Sequence, residues 1–330
     1  MNPKERVLAY LARRPVDVVP VAPVIDGYFA PRVLGRPSAE VWRRPGLMAE
    51  AVSRCAELFG HDIVVAQEAL GPGDTMLGCR VVLEDDGAVP LYRERIVGSP
   101  ADLDVVRYGG FEGSPGHEAV RLAVERVGGE RFVLGSVPMP FETAFILRGH
   151  DFLADLRSDP AFARALLEAC LPLAVGKALD LVRAGVDGVI FKDSLASSSV
   201  ISPRHYEEFA FPWERQAISA VRDRVPVFLH VCRNSRPILG LMGQTGAHVL
   251  EIDSPTSMED ALAAVPHEVI LKGNLDAVAE VEDGSSEALE ARVRELCRLA
   301  RETGRVIVST GDSVPHGTDP EKLRSLVDAA

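Results

Sequence analysis

Short β-branched runs recur along the chain, and most of the later ones are followed by a stretch with apolar residues at helical spacing. The runs are Val18–Val21, Ile63–Ala66, Arg131–Leu134, Gly188–Phe191, Val225–His230, His248–Ile252, Glu268–Leu271 and Arg305–Ser309. Several are nearly continuous apolar segments, as parallel strands covered on both faces should be. Between them the spacing predicts helices over Leu47–Phe59, Ala161–Arg183, Pro203–Arg222, Ser286–Thr303 and Glu321–Ala329. Ser202 and Pro203 supply a cap and a first-turn proline, Pro212 predicts a kink or break, and Gly304 supplies a helix stop. Residues 71–116 interrupt the alternation. Gly71-Pro72-Gly73-Asp74 and Asp85-Asp86-Gly87 are turn signals around Leu77–Leu83 and Pro90–Val97, which reads as an insertion of short antiparallel strands.

Eight strands with intervening helices predict a single α/β domain over residues 1–330. The expected fold is a (β/α)8 barrel with an N-terminal helical extension and the small β insertion near 71–116. A doubly wound sheet is the rival, but no G-x-G-x-x-G follows the first strand. With 47% hydrophobic and 25% charged residues the chain is that of an ordinary globular protein. A net charge of −12 does not suit a nucleic-acid binder, and no apolar run reaches membrane-spanning length. A cytoplasmic location is the default expectation. Five scattered cysteines, Cys55, Cys79, Cys170, Cys232 and Cys297, are no disulfide framework; all but Cys232 read as small buried hydrophobes.

A barrel gathers the C-terminal ends of its strands at one mouth. Those ends carry Asp26, Gln67, Glu68, Ser136, Asp193, Ser194, His230, Cys232, Asp253, Asn274 and Asp312. His230 and Cys232 form His-x-Cys at a strand end, and residues two apart on a strand share a face. An imidazole and a thiolate presented together are half of a zinc site. Asp253 ends the next strand and Asp312 the last.

This arrangement resembles the zinc site of the superfamily containing cobalamin-independent methionine synthase and the corrinoid methyltransferases. Other segments resemble the uroporphyrinogen decarboxylase-like proteins of the same superfamily. These are Lys4–Ala9 with Val16–Val21, Asp187–Asp193 followed by Ile201-Ser202-Pro203 and Tyr206–Phe209, Gly273-Asn274-Leu275-Asp276, and Thr310–Pro315. The resemblance implies the barrel fold and a metal-dependent methyl transfer. It implies zinc on His230, Cys232, Asp253 and Asp312, which would activate a thiol or hydroxyl acceptor. It also implies a methyl donor that is a small methylated substrate or a corrinoid on a partner protein.

Two departures stand out. Asp312 occupies the position of the family's final cysteine, giving a harder donor set that suits other divalent metals as well. The arginine-rich segment that binds tetrapyrrole carboxylates is missing, since Val21–Leu34 contains Arg32 alone.

For the chemistry around the metal, Asp193 is expected to face inward as a substrate or ligand-orienting carboxylate. His316 is expected as a general acid or base, and Asn274 as a substrate hydrogen-bonding group. Glu142, in a segment resembling a pocket-lining loop of the family, reads equally as a first-turn helix residue. The alternatives are a metal-independent decarboxylase or lyase using Asp193 or Asp253 with His316, and a non-catalytic binding homologue.

Overall fold

The computed structural model describes residues 1–71, 75–83 and 90–330; the turn signals at 72–74 and 85–87 lie outside the described residues. Seven parallel strands form one curled sheet in sequential order: Ile63–Ala66, Phe132–Pro138, Gly188–Lys192, Val227–Val231, Val249–Ile252, Ile270–Leu275 and Val306–Thr310. The predicted first strand, Val18–Val21, is not a regular strand. Pro20 and Pro23 lack the N–H groups a ladder needs, and only Val21 forms a bridge, to Val308.

The segment still closes the barrel. Ala22 N–H donates to Val308 O (2.8 Å) and Val308 N–H to Pro20 O (3.0 Å) on one side. On the other, Asp62 N–H donates to Val21 O (2.8 Å), and the Asp62 carboxylate accepts from Val21 N–H (2.8 Å). Eight chain segments thus complete the ring, one of them held by two proline-flanked residues and an aspartate.

The helices form the outer layer. Pro160–Arg183 and Ser286–Thr303 match their predicted spans closely, and Gly304 ends the latter with a positive φ of 64°. The predicted helix 203–222 is two helices, Pro203–Phe209 and Phe211–Val221, broken at Ala210 ahead of Pro212. The insertion is a three-stranded antiparallel sheet of Thr75–Met76, Cys79–Val82 and Leu91–Tyr92, with the last strand shorter than predicted.

Inside the barrel the side chains change character with height. Ile63, Phe132, Leu134, Ile190, Phe228, Val249, Ile270 and Ile307 form an apolar plug, and Val7 and Tyr10 of the first helix, Pro3–Leu11, pack beneath it. The Tyr10 hydroxyl donates to Val306 O (2.9 Å) and accepts from Val306 N–H (3.0 Å), seating that helix. Two residues further up, the same inward face carries Ser136, Lys192, His230, Glu251, Lys272 and Ser309 on six of the seven strands, and Val65 on the first. The mouth is therefore lined by polar and charged groups standing on a dry floor.

Candidate metal centre and substrate cavity

His230 ends the inward row of strand Val227–Val231 and Cys232 follows it on the same face. The two meet: His230 Nε2 lies 2.9 Å from Cys232 Sγ. Cys232 Sγ in turn lies 3.6 Å from Asp312 Oδ2, beyond the last strand. One donor atom from each of His230, Cys232 and Asp312 falls within 4.8 Å of the others. An imidazole, a thiol and a carboxylate converging at this spacing are donor types that could hold a metal ion.

The other ring nitrogen is also engaged. His230 Nδ1 lies 3.0 Å from Glu251 Oε1, and Glu251 Oε2 pairs with the Lys272 ammonium, which donates to Ser309 Oγ (2.8 Å). All these side chains are buried. A carboxylate behind a histidine fixes the ring orientation and leaves Nε2 to the metal. Burial opposes charge on His230, yet Cys232 and Glu251 outweigh it and push the ring's pKa well above its ordinary value. Burial likewise opposes charge on Glu251, but Lys272 and His230 hold its pKa low. The pocket around Nε2 thus favours positive charge, as a cation site should.

Asp253 is not brought into this cluster. Its Oδ2 accepts from Arg233 N–H (2.6 Å) and its Oδ1 from Ser254 N–H (2.7 Å). It ties down the loop that carries Cys232. The acidic neighbour of His230 is Glu251, two residues earlier and inside the strand.

Asp193 does not turn inward. Neighbouring residues on a strand face opposite sides, and it is Lys192 that enters the mouth. Asp193 is fully buried among the helices, where Oδ1 accepts from Glu142 N–H (2.9 Å) and the carboxyl lies near that of Glu214. Asp193 Oδ2 and Glu214 Oε1 are buried with no hydrogen-bond partner among the described residues. Burial and the charges of Glu214 and Glu142 push the Asp193 pKa well up. Burial raises Glu214 to about 7, against the hydrogen bond from Tyr206.

Asn274 is buried and committed: Nδ2 donates to Thr256 O (2.7 Å) and Oδ1 accepts from Arg292 (3.3 Å). His316 is half-buried, with Nδ1 3.2 Å from Tyr28 O, outside the three-donor cluster. Cys55, Cys79, Cys170 and Cys297 are buried, and burial raises the pKa of each.

A cavity of about 660 Å³ opens at the mouth between the strand ends, the insertion and residues 105–116. Asp26, Glu142 and Lys192 form its floor beside the cluster, and Glu68 pairs with Lys177 in its wall. Asp26 is buried; its Oδ2 accepts from Ser313 Oγ (2.7 Å), next to Asp312, and lies 3.6 Å from Lys192 Nζ. Tyr108 and Phe111 cross the rim, held by the Asp180 carboxylate, which accepts from both the Tyr108 hydroxyl and Phe111 N–H.

Glu251, Lys272 and Lys192 are absent from the expected site because their residues sit within apolar strands. Their signal is a charged residue two positions after an inward apolar one: Val249 then Glu251, Ile270 then Lys272, Ile190 then Lys192.

Methylcobamide:CoM methyltransferase MtbA of Methanosarcina mazei is 27% identical to this chain, over 100% of the chain and 97% of that protein. Uroporphyrinogen decarboxylase of Streptomyces avermitilis is 27% identical over 89% of the chain and 83% of its own length. Among solved structures, a methyltransferase from Methanosarcina mazei superposes with a TM-score of 0.85 at 23% identity, covering 100% of this chain and 98% of that one. A B12-independent methionine synthase from Shewanella sp. W3-18-1 shares the fold with a TM-score of 0.55 at 13% identity, over 86% and 85% of the two chains. The family model for uroporphyrinogen decarboxylase (URO-D) matches residues 2–330, so the chain, from its sealing helix to its last strand end, belongs to the URO-D family.

Proposed function

We propose that this protein is a zinc-dependent methyltransferase that moves a methyl group from a methylated corrinoid, carried by a partner protein, to a thiol acceptor. The observation that carries the reading is the convergence of His230, Cys232 and Asp312, with Glu251 behind the imidazole. Full-length likeness to a methylcobamide:CoM methyltransferase supports the reaction class.

His230 Nε2, Cys232 Sγ and an Asp312 oxygen would hold the metal, and the residues fit one. The donors mix soft and hard, the ring is oriented, and the pocket favours positive charge. When bound, the metal supplies Lewis acidity that lowers the pKa of an acceptor thiol, as it does for water. The chain's own groups do the rest. Glu251 and Lys272 keep the His230 ring in one orientation. Asp253 fixes the turn after Cys232, and the Asp193–Glu142 bond fixes the helix start at the cavity floor. The acceptor's sulfur would give up its proton to solvent and bond the methyl carbon as that carbon's bond to the donor breaks, the bonding electron pair staying with the donor.

The decarboxylase alternative loses its chemistry here. Asp193 and Asp253 are spent on backbone and helix contacts, and the cations lining the cavity are Arg107, Lys177 and Lys192 among the described residues, not an arginine cluster.

Elemental analysis of untagged protein tests the site. Wild type and Asp253→Asn should carry about one zinc per chain, while Cys232→Ser and Asp312→Asn should lose it. Absence of bound metal after zinc is supplied overturns the reading. Demethylation of methylcobalamin by a thiol, followed by its absorbance, then tests the reaction.

A further inference from the structure

We infer that a groove at the closed end of the barrel is a second ligand site, and that it takes an organic phosphate, its anion on Arg13, Arg14 and Arg301 and its body on an apolar wall. The apolar plug stands between this groove and the donor cluster, so the site is independent of the proposed methyl transfer.

The groove, of about 950 Å³, lies between the end of the first helix with residues 13–19 and the end of helix Ser286–Thr303 with residues 267–268. Its charged groups are Arg13, Arg14, Arg301, Asp17 and Glu268, with His267 beside them. The Asp17 carboxylate is taken by Arg6 (2.8 Å) and the N-terminal ammonium (2.9 Å). Glu268 is exposed and makes no ion pair among the described residues. Arg14 and Arg301 are exposed as well, and their side chains have neither a hydrogen bond nor an ion pair among the described residues. In a chain of net charge −12, three guanidiniums thus share one groove without a carboxylate partner.

Arg13 follows the cap of the first helix, where Arg13 N–H donates to Tyr10 O (3.0 Å) and Arg14 N–H to Ala9 O (2.8 Å). That ending needs a left-handed residue, usually glycine, and Arg13 holds it at φ 57°. Its guanidinium reaches the other side of the groove, donating to Gly304 O (2.7 Å) and His267 O (2.8 Å). These carbonyls would repel an anion, and Arg13 covers them. Two of its five N–H groups are used there, and the others remain for a ligand. Behind it Arg305 is buried, donating to Val269 O (3.1 Å) and Pro266 O (2.8 Å) and to no carboxylate among the described residues. Burial and the Arg13 charge hold the Arg305 pKa below its ordinary value, against Glu268. Two like charges bonded only to carbonyls leave a positive potential for an anion to quench.

Arginine suits phosphate, since its planar fork presents paired N–H groups to the oxygens. A phosphomonoester near neutral pH carries about two negative charges, which three guanidiniums match better than the single charge of a carboxylate. The rest of the groove is apolar. Leu11, Pro15, Val16 and Val18 form its wall, and Val18 is 48% exposed. Such a wall adds nothing to the binding of inorganic phosphate, but it takes the body of an ester out of water.

Calorimetric titration of phenyl phosphate, inorganic phosphate and phenol into the full-length protein tests the site. Wild type should bind phenyl phosphate at about one site per chain, at least about tenfold more tightly than inorganic phosphate, with phenol weaker still. Arg14→Gln combined with Arg301→Gln should weaken the ester at least about tenfold, and neither side chain has a partner whose loss would disturb the fold. Lys192→Met, at the mouth, and Cys232→Ser, in the donor cluster, should bind the ester as wild type does. Added salt should weaken it in wild type. No binding by wild type, an affinity indifferent to salt, or one untouched by the paired arginine variant overturns the inference. So does inorganic phosphate binding as tightly as the ester. Binding lost in Lys192→Met or Cys232→Ser would put the anion at the mouth and overturns it too.

Discussion

The buried row His230–Glu251–Lys272–Ser309 is where single residues have the largest leverage. Three ionisable side chains share a dry interior, and removing one leaves the others uncompensated. Lys272→Met should cost about 3–5 kcal/mol of stability by chemical denaturation. Glu251→Gln keeps the shape but weakens the hold on the His230 ring, so zinc affinity should fall about 10–100-fold in a competition titration with a chelator. Glu214 offers a separate handle. Its pKa rises on folding from 4.5 to about 7, so its protonated form favours the native state. That contribution is complete below the unfolded value and is lost as pH climbs through about 7. Glu214→Gln should flatten the fall in stability between those limits and be more stable than wild type at pH 8, by up to about 3 kcal/mol. His230, Cys232 and Asp312 were legible as polar residues at strand ends. Asp253 shared that signal, but its carboxylate is captured by backbone N–H groups, and nothing in spacing alone distinguishes a capping aspartate from a ligand. Glu251 and Lys272 were hidden because a charged residue within an apolar strand reveals its role only when the neighbouring strands are set beside it.

Among the elements, most strand and helix spans were legible from periodicity, because buried parallel strands and amphipathic helices write different repeats. The closing segment at Val18–Val21 misled for a definite reason. Its composition is that of a strand, but Pro20 and Pro23 confine its ladder to a single bridge. The Asp62 carboxylate supplies what the prolines remove, accepting from Val21 N–H and pairing with Arg6. Asp62→Ala should therefore destabilise the protein by about 2–4 kcal/mol, since a buried N–H and a guanidinium lose their acceptor together. Asp62→Asn, which keeps the acceptor, should lose less. Denaturant midpoints of the two variants would show the order. The break between Pro203–Phe209 and Phe211–Val221 was foreseeable from Pro212; that it would bring Glu214 against Asp193 was not, because that contact depends on how two helices sit on the sheet.

At the scale of the whole molecule, the change from apolar to charged side chains at one height in the barrel makes a vessel that, among the described residues, opens at the mouth. The first helix seals the other end, with Val7 and Tyr10 against the apolar plug. Sealing has a kinetic meaning. If the proposed methyl transfer takes place at the donor cluster, both reactants must reach it through the mouth, and a cobamide on a carrier protein is far broader than a small thiol. Once the carrier covers the mouth, the thiol can neither enter nor leave. The small reactant must therefore bind first and its methylated form must leave last. Product inhibition should show it: the methylated thiol should compete with the free thiol and be noncompetitive toward the carrier. Traffic in this enzyme would be a queue, and the queue's order would be set at the far end of the barrel from the chemistry, by the helix that closes the barrel's other end.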